Sequence, residues 1–415
     1  MLPGSVSAVA PPWYRSVGRA EWKTLFAAQS GWMLDGMDVM LYAFALTAIQ
    51  NEFHISAARA GLLASITLFT SAFGGALAGF FADRYGRARM LMVSILLYSV
   101  FTGVTATSRT FVELGVWRAL VGFGLGAEWS AGSVLVAETW PAEHRGKAIG
   151  LMQSGWAIGY IFAALLAAVL LPRYGWRPLF MAGAVPALLA WCIRREIPEP
   201  EIWRHAAHRS QTPPIGLLVK PPLFHRALFA ALLATSLQFA YWGLFTWLPA
   251  YLSSPVSKGG VGLGLVKSTA WIIPVQVGAF LGYTLFGVLA DRFGRRPVFL
   301  LFVLGAAAVV PVYGLAGRYA TTLLILGPLI GFFGHGYFSV FGALLAELFP
   351  SAIRATAQGL CYNFGRGVSA LAPLSIGAIS EHFGIGGALV FTAAFFLAGG
   401  VLILFLPETK GESLE

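Results

Sequence analysis

Gly79-Phe-Phe-Ala-Asp83-Arg84-Tyr-Gly86-Arg87 and Gly287-Val-Leu-Ala-Asp291-Arg292-Phe-Gly294-Arg295 are near copies of one another, 208 residues apart. A second pair repeats at an offset of 209: Glu138-Thr-Trp-Pro141 with Arg145 and Gly150 matches Glu347-Leu-Phe-Pro350 with Arg354 and Gly359. A mostly apolar chain of 415 residues that repeats itself at half-length reads as two homologous membrane halves. Repeats of this kind place a substrate site between the halves, near the middle of the bilayer.

Composition supports the membrane reading. Apolar residues make up 57% of the chain and charged residues 11%, against about 25% charged in a soluble domain. The net charge of +10 does not point to nucleic acid, because the basic residues fall between apolar stretches rather than on one run or face. Cys192 and Cys361 lie far apart in apolar sequence, so no disulfide framework or metal site is expected. Met1 to Pro12 lacks the basic-then-apolar form of a cleaved signal peptide.

A spanning helix needs about 20 apolar residues. Twelve stretches qualify: 22–48, 58–82, 90–107, 111–138, 147–171, 175–193, 226–252, 266–290, 297–316, 320–347, 355–379 and 385–406. The expected fold is an all-α membrane protein of twelve transmembrane helices in two six-helix bundles. Its parts are an N-terminal segment 1–21, a first bundle 22–193, a linker 194–225, a second bundle 226–406 and a tail 407–415. The linker holds Pro198, Pro200, Pro213, Pro214, Pro221 and Pro222, which suit a connection rather than a span. Twelve spans put both ends on one side. That side carries 19 Lys and Arg and the other seven, so the ends and the linker are expected in the cytoplasm of a plasma-membrane protein.

The charges inside the spans are the functional signal, since an ionisable group at mid-membrane costs about 2.5–3.5 kcal/mol on insertion scales. Span 1 holds Asp35 and Asp38, three residues apart. Span 4 holds Arg118, Glu128 and, at its end, Glu138. Span 10 holds His335, and span 11 holds Arg366 with Asn363 one turn earlier. Arg118 and Glu128 are separated by about 15 Å of helical rise, so each needs a partner on another helix; Asp35 and Asp38 are the open choices for Arg118. The position matching Arg366 in the first half is Ala157, which argues against a symmetric structural role. His335, between Gly334 and Gly336, has a plain helix-contact reading beside the functional one. Gln153, Trp156, Tyr160, Gln238, Tyr241, Trp242, Gln276, Tyr337 and Tyr362 cluster where a cavity is expected.

Other chemistries lack their residues. There is no Walker loop and no His or Cys cluster with ligand spacing. Gly122, Gly124 and Gly126 imitate part of a dinucleotide fingerprint, but they sit inside a span, where helix packing is the better reading. No cofactor or metal is expected, and no enzyme activity. A membrane solute sensor is the alternative of another class; it needs a signalling domain, and the 9 residues after span 12 offer none.

The repeated Gly-x-Leu/Phe-Ala-Asp-Arg-x-Gly-Arg loop, the run Arg118-x3-Gly122-x-Gly124-x-Gly126 and the tail Pro407-Glu408-Thr409-Lys410-Gly411 resemble the major facilitator superfamily over essentially the whole chain. The resemblance implies two bundles rocking about a central site lined by spans 1, 4, 7 and 10. It also implies a latch in the repeated loop. Asp83, Arg84 and Arg87 with Glu138 and Arg145 would close one half, and Asp291, Arg292 and Arg295 with Glu347 and Arg354 the other. Asp35-Gly36-Met37-Asp38 resembles the Asp-Gly-x-Asp signature of carboxylate:proton symporters of the aromatic-acid and sialate/lactate types. Gly126-Ala127-Glu128-Trp129 and Ile197-Pro198-Glu199-Pro200-Glu201-Ile202-Trp203 look more like the sialate/lactate group. Sialate members often carry two extra central spans, for which this linker is too short, and that leaves small monocarboxylates such as lactate in front. The tail and the Pro-Glu element after span 6 are also similar to sugar porters, so aromatic acids, sugars and polyols stand as alternatives.

The charge logic suits an anion. Arg366 and Arg118 would attract a carboxylate through charge-assisted bonds, with Asn363, His335, Gln238, Tyr241, Trp242 and Tyr337 completing the substrate site. Asp35, Asp38 or Glu128 would carry the proton, since a dry surrounding favours the protonated form of a carboxylate. The expected partners are thus a small organic anion, a proton and the lipid bilayer, with the protein acting as a monomer.

Overall fold

The computed structural model describes residues 17–194 and 215–409, apart from 86, 127, 129–131, 134–135, 137–138, 142–143, 222, 318 and 351–352. At 78–80, 82–85, 87–89, 91, 145, 186–194, 215, 265, 291, 340, 343, 346 and 354–355 the backbone alone is described. The described residues form helices and no strands. In hydrocarbon every backbone N–H and C=O must find a partner within its own segment, which selects the helix for these long apolar stretches.

The helices follow the expected spans closely. In the first half they are α1 (Arg19–Phe53), α2 (Ala57–Tyr85), α3 (Arg87–Thr105), α4 (Phe111–Leu125), α5 (Arg145–Tyr174) and α6 (Trp176–Arg194). The second half has α7 (Leu223–Ser253), α8 (Leu265–Phe293), α9 (Arg295–Leu315), α10 (Ala320–Gly336), α11 (Phe338–Glu347), α12 (Arg354–Ser369) and α13 (Leu371–Leu402). Span 10 is divided into α10 and α11 at Tyr337. The expected boundary between spans 11 and 12 falls inside α13, at Gly384, whose φ of 72° reverses the chain direction without a long loop. Proline occurs inside α5, α7, α8, α9 and α10. Membrane helices tolerate it because neighbouring groups satisfy the freed carbonyls.

Local chemistry sets several ends. Thr110 caps α4 by accepting the Glu113 N–H at 3.2 Å, and the Glu113 carboxylate reaches back to the Arg109 N–H at 2.8 Å. Gly294, at φ 102°, makes the tight turn between α8 and α9. Glu408 accepts the two N–H groups that follow it, from Arg295 at 2.8 Å and Arg296 at 3.0 Å. This carboxylate thus ties the tail to the start of α9.

Glycine rows bring backbones together. A Cβ at Gly155 of α5 would lie 2.6 Å from the carbonyl of Gln29 on α1. Gly122 of α4 and Gly126 just past its end abut the carbonyls of Thr67 and Ser71 on α2, and Gly124 abuts Tyr98 of α3. The glycines that imitate a dinucleotide motif are therefore helix contacts.

The two halves meet on both sides of the bilayer centre. Away from the chain ends, Leu374 N–H donates to Ser65 Oγ at 3.2 Å, a Cβ at Gly377 would lie 2.6 Å from the carbonyl of Ala57, and the Ala58 N–H donates to Glu381 at 2.9 Å. Nearer the chain ends, Gly150 of α5 packs on Tyr283 and Ser339, Gln153 donates to the carbonyl of Phe338 at 3.3 Å, and Gly75 of α2 faces Asn363 of α12.

Candidate functional site

Between these two sets of contacts lies a narrow cavity, with room in this closed state for little more than a water molecule. Trp32, Asp35 and Val39 line it from α1, Thr67, Leu68 and Ser71 from α2, Leu125 from α4 and Trp156 from α5. The second half contributes Trp242 of α7 and Arg366 of α12. One acid from the first half and one base from the second therefore face the same space. Asp35 is 2% exposed and Arg366 5%, so neither charge is solvated from outside. The Arg366 guanidinium lies 5.6 Å from the Tyr362 ring centre, and its Nε has no hydrogen-bond partner in the protein. Three tryptophans form the apolar wall: Trp32 and Trp156 have ring centres 4.8 Å apart, and Trp156 meets Trp242 edge-on at 5.9 Å.

The other basic residue of the spans lies elsewhere. Arg118 is buried inside the first half. Its Nε donates to Thr67 Oγ1 at 3.2 Å, its guanidinium lies 5.1 Å from the Tyr42 ring centre, and Asp38 is the acid whose charge acts on it. Asp38 in turn accepts the Thr102 hydroxyl at 2.5 Å. Asp35 and Asp38 are about 60° apart around α1, and that angle sends one carboxylate to the cavity and the other to Arg118. Glu128 is 1% exposed, also within the first half.

Of the expected substrate residues only Trp242 and Arg366 line this cavity; the others of the second half lie outside its lining, most of them held by hydrogen bonds. His335 Nδ1 lies 3.2 Å from the carbonyl of Gly331, which fixes its proton there and leaves Nε2 to accept from the Tyr241 hydroxyl at 3.3 Å. Gln238 donates to the carbonyl of Tyr362 at 3.0 Å, and the Tyr337 hydroxyl to that of Leu237 at 3.3 Å. Tyr160 of α5 donates to the carbonyl of Phe245 at 3.1 Å, tying the halves together beside this cluster. Asn363 sits at the α2–α12 contact, its Oδ1 3.1 Å from where a Cβ of Gly75 would be.

Of the expected latch residues, Arg295 pairs with Glu347 at 3.3 Å, and Glu347 also accepts the Thr409 hydroxyl at 2.5 Å. Arg292 is exposed, its guanidinium 5.3 Å from the Phe293 ring centre. Glu138 and the side chains of Asp83, Arg84, Arg87, Arg145, Asp291 and Arg354 lie outside the described residues.

Sequence reasoning passed over α2 and α3. Thr67 and Ser71 of α2 line the cavity, and Tyr98 and Thr102 of α3 face the buried acids. The available signal was spacing: each pair is four residues apart, on one helix face. Trp32, one turn before Asp35, carried the same signal.

Comparison with known proteins agrees with this architecture. The family model described as Major Facilitator Superfamily matches residues 30–275 and 263–415. The cis,cis-muconate transport protein of Acinetobacter baylyi is 35% identical over 95% of this chain and 96% of its own length. A protein of Cupriavidus pinatubonensis named as a probable 4-methylmuconolactone transporter is 34% identical over 97% of this chain and 94% of its own. Among solved structures, the inward-open xylose transporter XylE of Escherichia coli superposes with a TM-score of 0.72 at 20% identity, covering 95% of this chain and 98% of that one. At that identity the likeness speaks for the fold alone.

Proposed function

Since the chain belongs to the major facilitator superfamily, and is a multi-pass membrane transporter rather than an enzyme, we propose that it carries a small organic anion together with a proton. One observation carries this reading: Asp35 and Arg366 face one cavity from opposite halves. A buried guanidinium with an unmet Nε donor suits a carboxylate, which accepts charge-assisted bonds in two-point geometry. Asp35 on the facing wall is the acid that takes up and gives back the proton. The relatives named for muconate and a muconolactone support an organic-acid substrate.

Transport follows from the two sets of contacts. Opening the pair of helices at one face while the other stays packed exposes the cavity to one side at a time. A monoanion entering with one proton moves no net charge, so the pH gradient drives it and the membrane voltage, worth about 2.3 kcal/mol per charge per 100 mV, does not. The asymmetry of Lys and Arg supports chain ends in the cytoplasm of a plasma-membrane protein, and with an inward pH gradient the coupled movement is uptake. The three tryptophans of the wall favour a planar, unsaturated acid, aromatic acids included.

The test is uptake by proteoliposomes under an imposed inward pH gradient. The probes are labelled cis,cis-muconate, benzoate, lactate and xylose. The expected result is accumulation of at least one carboxylate, abolished by a protonophore. Accumulation of xylose alone would overturn the anion reading.

A further inference from the structure

Resting on the proton-coupled reading above, we propose that Tyr98 is a relay that passes the proton between Asp35 and Glu128. The argument begins with register. Helices α1 and α3 run in the same direction through the bundle. Thr102 of α3 donates to Asp38 of α1 at 2.5 Å. One turn earlier on both helices, Tyr98 comes level with Asp35. The Tyr98 hydroxyl is buried and makes no hydrogen bond in this state, and the acids whose charges act on it are Asp35, Glu128 and Asp38.

Helix α4 runs the opposite way. Its Gly124 lies against Tyr98, so close that a Cβ there would sit 2.8 Å from the Tyr98 nitrogen. The Ser94 hydroxyl donates to the carbonyl of the same glycine. Glu128 lies one turn beyond Gly124, toward the face that carries the chain ends. A helical side chain leans toward the start of its own helix. For Tyr98 that is also toward the chain-end face, so the ring reaches from the level of Asp35 toward that of Glu128.

The surroundings make a relay necessary. Tyr98 belongs to a small apolar cluster with Ile95, Val121 and Leu125, with Val39 and Phe101 packed on it. Val39 and Leu125 also line the cavity. This cluster therefore backs an apolar part of the cavity wall, and Tyr98 brings a hydroxyl into it. The remaining charges nearby are Asp38 and Arg118, which act on each other, with Tyr42 under the guanidinium. Asp35, on the cavity, and the buried Glu128 are the acids at the two ends of the path.

The step balances without a charged tyrosine. The O–H bond of protonated Asp35 breaks as its proton joins Tyr98 Oη, while the original hydroxyl proton moves to the Glu128 carboxylate. Asp35 ends ionised, Glu128 ends neutral and Tyr98 is unchanged. The reverse sequence returns the proton.

Tyr98→Phe tests this, since it removes one oxygen and keeps the ring. Wild type and variant are compared in proteoliposomes with labelled cis,cis-muconate in two assays: accumulation driven by a pH gradient, and exchange at equal pH. The expected result is a fall of about a hundredfold in pH-driven uptake rate, the scale of a positioned proton-transfer group, with exchange retained. Glu128→Gln should behave alike, and the double variant should be no worse than either. Wild type that accumulates neither muconate nor either of the other carboxylate probes would sink the symport reading and the relay together. PH-driven accumulation retained in Tyr98→Phe would sink the relay alone. Loss of exchange in a monodisperse Tyr98→Phe protein would also overturn it, by tying Tyr98 to substrate movement instead.

Discussion

The two halves share a backbone plan and differ in what they bury. The first half buries Asp35 and Asp38 of α1, Arg118 of α4 and Glu128, with Thr102 of α3 donating to Asp38. The second half places Arg366 against the cavity beside the rings of Tyr362 and Trp242. The position that pairs with Arg366 in the repeat is Ala157, fully buried on α5. A duplicated fold can thus divide labour. One half holds one acid on the cavity and further buried ionisable groups away from its lining, and suits proton handling. The other presents a single cation in an aromatic setting and suits recognition of an anion. An ionisable group in hydrocarbon is costly wherever it stands, so such a concentration in one half is not a by-product of the repeat.

The largest effect should come from removing the cation of the second half. Arg366→Ala should abolish anion uptake, by more than about a hundredfold, with normal insertion in the membrane, because a substrate carboxylate would enter the cavity uncompensated. Arg366→Lys should recover little, since an ammonium cannot reproduce the planar two-point contact. Uptake by either variant at the wild-type rate would remove the distinction between the halves.

A smaller but clear effect should separate Arg118 from Arg366. Arg118→Leu leaves Asp38 in the first half without its cation. Losing one partner of a buried pair costs about 3–5 kcal/mol, so thermal unfolding in detergent should shift down markedly. Replacing Asp38 as well, in Arg118→Leu/Asp38→Leu, should restore part of the loss. Should Arg118→Leu melt like wild type, Arg118 is not a structural partner, and its place beside Asp38 needs another account.

The latch pairs come next. Glu347→Gln removes the ionic partner of Arg295, which is 12% exposed as is Glu347. A contact of that exposure is worth about 1 kcal/mol, or a population change of about fivefold. A cysteine at Gly146, where a side chain meets nothing within 4 Å, should label faster with an impermeant reagent in a background free of Cys192 and Cys361. Unchanged labelling would reduce the pair to a surface contact.

The smallest effect concerns the opposite face. The Ala58 N–H, then the Ser56 hydroxyl, hold the Glu381 carboxyl below its ordinary value of 4.5. Contact between the halves here favours the ionised form. It is therefore at full strength above pH 4.5 and weakens as pH falls through the lowered value. Glu381→Ala should speed exchange of the Ala58 amide at neutral pH, and in wild type the same protection should fade in acid after correction for intrinsic exchange. Equal protection in the two proteins would show that the carboxylate does not fasten this face.

How much of this was legible beforehand follows from what each residue costs locally. Spans, halves and the misplaced charges were readable because an apolar run of about 20 residues, or an acid within one, stands out whatever its neighbours are. Asp35 and Arg366 could be singled out on those grounds. Thr67, Ser71, Tyr98 and Thr102 could not. A hydroxyl within an apolar helix costs little, because it can bond to its own helix, as Thr67 does to the carbonyl of Leu63 at 3.1 Å and Ser71 to that of Leu68 at 2.8 Å.

What the sequence by itself determined is therefore the membrane class, the doubled architecture and the list of charges that need partners. Only the tertiary structure decided the partners. Three residues along α1 turn Asp38 to Arg118 and Asp35 to the cavity. Two buried arginines within spans differ in that one is enclosed by its own bundle and the other lines the space between bundles. The reason is geometric: hydropathy measures how badly a group fits lipid, whereas the direction in which it escapes lipid depends on which helix packs against which face.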